Sequence, residues 1–223
     1  MSYILNIDTA VVSASLCLSK DDEVLKLKIN PSQKDHASWI HVAIKEMMEE
    51  AGISLQELDA IAVSSGPGSY TGLRVSMATA KGLCYALQKP LITVGTLKMM
   101  AVAAMDTTTD LLCPMIDARR MEVFTAVYDH SFSEILTPVN IILENDSFKE
   151  LLQTNSILFF GNGSEKFKSL TTDPNAYFKN VEANAKHMTG LSFSQFQKHE
   201  FADLAYSEPY YGKAFYTPFV KPS

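Results

Sequence analysis

Residues 59–87 read DAIAVSSGPGSYTGLRVSMATAKGLCYAL, and this single run carries a strand, a glycine loop and a helix. Asp59 to Ser64 is a short apolar run of the kind a buried parallel strand uses. Ser65-Gly66-Pro67-Gly68-Ser69-Tyr70-Thr71-Gly72 is turn chemistry throughout, with Ser69 and Thr71 as N-cap hydroxyls. From Leu73 to Leu87 the spacing is helical, and Leu73, Met77, Ala80, Cys84 and Leu87 fall on one stripe. A second strand, Leu91 to Val94, and a helix from Thr96 to Met105 continue the alternation. This pattern predicts an α/β fold.

The flanks extend it in both directions. Upstream, Tyr3 to Asp8, Val11 to Ser19 and Glu23 to Ile29 read as an antiparallel meander. From His36 the period turns helical, with Trp39, Ile40, Ala43, Ile44, Met47 and Met48 at three- and four-residue steps. Gly52 is its stop, and Ser54 with Glu57 is a capping box. Downstream, Leu111 to Asp117 and Glu122 to Tyr128 repeat the opening strands around the turn Ala118-Arg119-Arg120. A third strand is expected near Glu134 to Leu136, a helix over Ser147 to Leu152, and a strand over Ile157 to Phe160 before Gly161-Asn162-Gly163. In both units an Ile-Asp pair, Ile7-Asp8 and Ile116-Asp117, ends a strand before a hairpin. The order of elements predicts an internal duplication, with halves 1–106 and 107–223 divided in the polar stretch Asp106 to Asp110.

Composition narrows the function. The chain has 223 residues, a formal net charge of -6, 47% hydrophobic and 20% charged residues, which is globular and gives no basic nucleic-acid footprint. Cys17, Cys84 and Cys113 lie far apart in apolar runs and read as buried reduced thiols of a cytoplasmic protein. The N-terminus has no signal-peptide pattern and no apolar run approaches a membrane span.

Several residues could carry chemistry. Asp8, followed by Thr9, stands at a strand end where a metal-bridged phosphate would sit, although on spacing alone a turn cap is the stronger reading. The loop with Gly66, Gly68 and Ser69 offers amides at a helix start but lacks the lysine of a phosphate loop, so a tight turn and a phosphate cradle stay equally open. The following helix carries only Arg74 and Lys81 as charges and small residues where a polar face is expected, which reads as burial on its own sheet and on a second protein. The charged hairpin Asp117, Arg119, Arg120 and Glu122 reads either as a solvated turn or as a binding rim, in which Arg119 could hold a carboxylate or phosphate in two-point fashion. His36 and His41 are five apart, which does not put two ligands on one helix face, and Ser69 has no assignable His/Asp partners for hydrolysis. The aromatic run Pro209 to Tyr216 reads as a tail packed on the domain by its rings.

Three segments, ILNIDTAVVSASLCL, SSGPGSYTGLRVSMATAKGL and PMIDARRMEVFTAVY, resemble the TsaB (YeaZ) family of tRNA threonylcarbamoyladenosine biosynthesis proteins over roughly the first 130 residues; beyond them only GNGSEKF and SEPYY have counterparts. The resemblance implies an actin-like ATPase (ribonuclease H-like) fold of two duplicated halves with β-β-β-α-β-α cores. It implies a non-catalytic subunit that stabilises a catalytic paralogue, TsaD, with a small ATPase, TsaE, joining them and tRNA contacted indirectly. No catalytic residue, metal or required cofactor is expected in this chain, and the catalytic paralogue's HxxxH metal pair is not matched by His36 and His41.

From the helices about 36–50 and 71–87 the expected partner face comprises Trp39, Ala43, Met47, Arg74, Val75, Ala78, Gly82 and Ala86, also open to homodimer formation. The residues that would line a vestigial nucleotide cleft are Asp8, Thr9, Gly66, Gly68, Ser69, Asp117, Arg119, Gly161 and Gly163. They support the alternative of a free-standing ATP- or ADP-binding, ATPase or kinase-like enzyme. A peptidase has no nucleophile-base pair to rest on.

Overall fold

The computed structural model describes residues 1–31 and 36–212. The first sheet holds β1 (Tyr3–Asp8), β2 (Ala14–Lys20), β3 (Glu23–Asn30), β4 (Ala60–Ser64) and β5 (Leu91–Val94) in the order β3-β2-β1-β4-β5. Strands β1, β2 and β3 are antiparallel neighbours, and β1, β4 and β5 run parallel. The second sheet holds β6 (Leu111–Asp117), β7 (Glu122–Tyr128), β8 (Glu134–Ile142), β9 (Ile157–Phe160) and β10 (Ala176–Phe178) in the order β10-β9-β6-β7-β8. Read from the meander side, the two orders are the same, so the duplication inferred from element order is present in the topology.

The helices are α1 (His36–Ala51), α2 (Tyr70–Leu87), α3 (Thr96–Ala103), α4 (Lys149–Leu152), α5 (Ser164–Lys168) and α6 (Thr189–Gln197). At the end of α1 the Ile53 amide donates to the Met48 carbonyl and Gly52 has a φ of +66°, so the glycine stop is used as expected. The Ser54 amide and hydroxyl both donate to Glu57 Oε2 at 2.8 Å. Lys28 Nζ of β3 reaches Glu46 and Glu50 of α1 at 2.8 Å each, and these carboxylates push its pKa up.

Alternation along β1 builds two cores. Leu5 and Ile7 face α1 and α2, where they meet Ile40, Ala43, Met47, Met77, Ala80 and Cys84. Ile4 faces the other way, into a cluster that runs through Ile92, Leu97 and Met100 to Ile116, Phe124 and Phe160 of the second sheet. The halves therefore share one apolar core. A third cluster, with Met115, Val123, Phe159 and Phe167, fills the outer side of the second half. All three cysteines are buried, and burial pushes each thiol up to about 12.

Differences from the sequence-based expectation concern ends and the last third. Strand β2 begins at Ala14 rather than Val11, and α2 begins at Tyr70 rather than Leu73 because Ser69 is the cap. Helices α3 and α4 are each shorter by two residues than expected. Strand β8 runs on to Ile142 through Pro138, which an edge strand tolerates. Elements α5, β10 and α6 were not anticipated. Only Thr189 and Ser192 of α6 are fully buried, and Ser192 Oγ donates to Asn6 Oδ1 at 2.7 Å. Leu191, Phe193 and Phe196 pack half-buried on the shared core beside it, at spacings too irregular to read as one helical stripe. Residues 185–212 thus return to the first sheet: the Ala185 amide donates to Ser15 Oγ and the Ala202 amide to the Leu91 carbonyl.

Candidate functional site

Two sets of residues were expected at the strand ends, one in each half. Asp8 ends β1 and is fully buried. Its Oδ1 accepts from Ser64 Oγ at 2.6 Å and from the Ala10 amide at 3.0 Å, while Oδ2 has no hydrogen-bond partner among the described residues. Burial outweighs the two hydrogen bonds and pushes its pKa up to about 6. Thr9 Oγ1 donates to the Gly72 carbonyl at 2.6 Å, and the Ser69 amide donates to the Ala10 carbonyl at 2.8 Å. Gly68 and Gly72 owe their identity to this contact: a Cβ on Gly68 would strike the Ala10 carbonyl, and one on Gly72 the Thr9 carbonyl. Ser69 caps α2 by accepting from the Gly72 amide at 3.2 Å. Gly66, with a φ of +110° and a cis peptide to Pro67, lies against the Tyr210 backbone.

Asp117 ends β6 in the matching place and is exposed. Its Oδ1 accepts from Lys166 Nζ at 2.7 Å and from the Arg119 amide at 2.6 Å, and the lysine holds its pKa below the usual carboxylate range. Gly161 has a φ of +93° and touches the Met115 carbonyl, and the Gly163 amide donates to that same carbonyl at 3.1 Å. Arg119 and Arg120 both take positive φ at the hairpin tip, 69° and 49°. Among the described residues no hydrogen bond or ion pair joins the Asp8 set to the Asp117 set. Val11 and Ala118, beside the two aspartates, instead pack on the shared apolar cluster.

The space that Gly68 and Gly72 leave is filled by protein backbone, Asp8 is sealed, and Asp117 is neutralised by Lys166. Among the described residues no three His, Cys, Asp or Glu side chains cluster as metal ligands, and no helix is long and apolar enough to cross a membrane.

The helical face is the other candidate. Arg74, Ala78, Gly82 and Ala86 of α2 are exposed on one line, and Trp39 and Val75 are half-buried. Ala43 and Met47 correct the expectation: at 1% and 0% exposure they belong to the core under α1, so the face does not include them. A helix presents one stripe to its own sheet, and these two positions lie on that stripe with Ile40. Three features were missed. Tyr85 stands 80% exposed on α2, where only an aromatic outside the apolar stripe signalled it. A groove of about 430 Å³ between the C-terminal part of α1 and Leu83 of α2 is lined by His41, Ile44, Met48 and Leu55. Arg74 lies over the Tyr70 ring at 4.5 Å and donates to Tyr211 Oη at 3.2 Å, a contact 137 residues away in sequence. The tail expected to pack by its rings does so at Tyr211, 5.0 Å from Tyr70; Lys213 to Tyr216 lie outside the described residues.

Known proteins agree with this architecture. The sequence model of the family described as "TsaD: tRNA N6-adenosine threonylcarbamoyltransferase" matches residues 28–211. The chain is 27% identical to the tRNA threonylcarbamoyladenosine biosynthesis protein TsaB of Escherichia coli, over 93% of each chain. It is 29% identical to that of Bacillus subtilis, over 76% of this chain and 75% of the relative. A Pseudomonas aeruginosa crystal structure, described as an uncharacterized protein with similarity to peptidase YeaZ, superposes with a TM-score of 0.85. It covers 96% of this chain and all of the other at 23% identity, which speaks for the fold. The fold is accordingly that of the actin-like, ribonuclease H-like ATPases, and the chain belongs to the TsaD family of that model and, within it, to the TsaB (YeaZ) family of tRNA threonylcarbamoyladenosine biosynthesis proteins.

Proposed function

We propose that this chain serves tRNA threonylcarbamoyladenosine biosynthesis as a non-catalytic subunit that docks and stabilises a TsaD-type paralogue through the outer face of α2. The observation that carries the reading is the exposed line Arg74, Ala78, Gly82 and Ala86 on a helix whose opposite stripe is fully committed to the core. Small residues on an exposed helix add little to the fold and allow a second helix to approach closely. The groove beside Leu83 continues the face onto α1. A TsaE-type ATPase would join the pair, tRNA would be met mainly by the partner, and the same face would serve self-association of the isolated chain.

Sizing with light scattering, on the chain alone and mixed with the TsaD paralogue from the same source, tests this. A one-to-one complex, or a homodimer that the paralogue dissociates, is expected. A monomer indifferent to the paralogue would refute it.

A further inference from the structure

Exposed aromatic side chains gather where the returning chain meets α2. Tyr206 and Tyr85, at 84% and 80% exposure, are the two most exposed aromatic residues among those described. Both are tied to Lys81. Tyr85 lies one helical turn beyond it, and Lys81 Nζ donates at 3.1 Å to the carbonyls of Ala205 and Ser207, which flank Tyr206. Further along, the Tyr210 amide donates to the Ser65 carbonyl at 2.7 Å, and Tyr211 closes on Tyr70 and Arg74. Residues 203–212 therefore run as a strap along α2, from Lys81 back to its first turn.

No residue of the strap is fully buried, so it contributes little core. Its backbone is nonetheless fixed by hydrogen bonds, and the Asp203 side chain accepts from the Ala205 and Tyr206 amides at 2.8 and 2.9 Å. Exposed rings on a fixed backbone are what protein interfaces use: tyrosine and arginine concentrate binding energy there, and a fixed backbone lowers the ordering cost.

We infer that the strap is the second wall of the docking face, and that Tyr85 and Tyr206 are anchors for the folded paralogue subunit rather than for RNA. This rests on the scaffold reading and extends it from one helix to two chain segments. Charge decides between the occupants. Residues 70–85 carry Arg74 and Lys81, and residues 203–212 carry Asp203 and Glu208, so the patch is balanced. Both cations are also engaged, Arg74 with Tyr70 and Tyr211 and Lys81 with two carbonyls. Phosphate backbones need uncompensated Lys and Arg, whereas the centre of a protein interface is aromatic and poor in net charge.

The test is the Tyr85→Ser/Tyr206→Ser double variant, titrated with the TsaD paralogue beside Ala78→Glu and the control Tyr177→Ser, an exposed ring on β10. The double variant should keep its Tm and bind the paralogue at least about 30-fold more weakly, a typical loss for two interface tyrosines, while the control binds like wild type. Full binding by the double variant together with loss in Ala78→Glu would overturn the strap and leave the scaffold reading standing. Full binding by both would overturn both. Loss of self-association or of tRNA retention by the double variant, with paralogue binding intact, would assign the rings to another occupant and overturn the inference.

Discussion

The two halves lay their strands in one order and cover them differently. Over the first sheet, α1 and α2 run for 16 and 18 residues. In the equivalent places of the second, α4 and α5 have 4 and 5. The second half fills its outer layer with rings instead: Phe148, Phe159 and Phe167 meet pairwise at 4.8 to 5.3 Å, and Phe178 stacks on Phe159 at 5.5 Å. A repeated strand order thus fixes the fold, and the covering helices are where the two copies differ. One copy grew long helices with an exposed face; the other closed itself. The two strand-end aspartates diverged as well. Asp8 is sealed and driven toward its neutral form, while Asp117 is exposed and held ionised by Lys166.

The largest expected effect breaks the first-half junction. Gly72→Ala should cost about 3 kcal/mol, because the new Cβ would meet backbone that has no room to move. Gly82→Ala, on the same helix with nothing within 4 Å of its Cβ, should be neutral or stabilise by up to about 1 kcal/mol. Urea denaturation reads both; equal stability of the two variants would remove the close approach of Thr9 and Gly72 as a structural determinant.

Asp8→Asn should be next. A carboxyl lifted from 3.8 to about 6 in the folded state binds its proton more tightly there than in the unfolded chain. Its folded form is therefore favoured below about pH 4, and that advantage fades as pH rises to 6. Above that the ionised, buried group costs up to about 3 kcal/mol. The asparagine variant should have the higher Tm at pH 7.5, and the gap should narrow on acidification. A gap independent of pH would mean that Asp8 is ionised at no cost.

Lys166→Ala should have the smallest effect on stability. The pair with Asp117 is 2.7 Å long but the aspartate side chain is 41% exposed, so solvent screening limits the loss to under about 1 kcal/mol. The Asp117 titration followed by NMR should move up toward the ordinary aspartate value. An unmoved titration would show that the Arg119 amide alone holds the charge.

Much of this was legible in sequence. Alternation in Ala14, Leu16 and Leu18 and the apolar runs at Ala60 to Ser64 and Ile157 to Phe160 gave the strands, because burial on both faces leaves few other arrangements for such runs. The glycine loop was visible, but its purpose was not. Whether Gly68 and Gly72 admit a phosphate or a neighbouring carbonyl depends on Thr9 and Ala10, some 60 residues away in sequence. Helical periodicity placed Met47 on a stripe without saying which stripe faced the sheet. The last third was opaque because α6 adds only half-buried Leu191, Phe193 and Phe196 beside Ser192, and the strap is held largely through backbone carbonyls, so the hydrophobic pattern is short and irregular.

The most direct test is calorimetric titration of the TsaD paralogue into wild type and Ala78→Glu. Ala78 is exposed in the isolated chain, so the variant should fold with an unchanged Tm. At a packed helix contact the same carboxylate would be buried without a partner, raising Kd by a factor of about 100 or more. That loss, with the fold intact, is the predicted result. Undiminished binding by the folded variant would contradict the assignment of the α2 face.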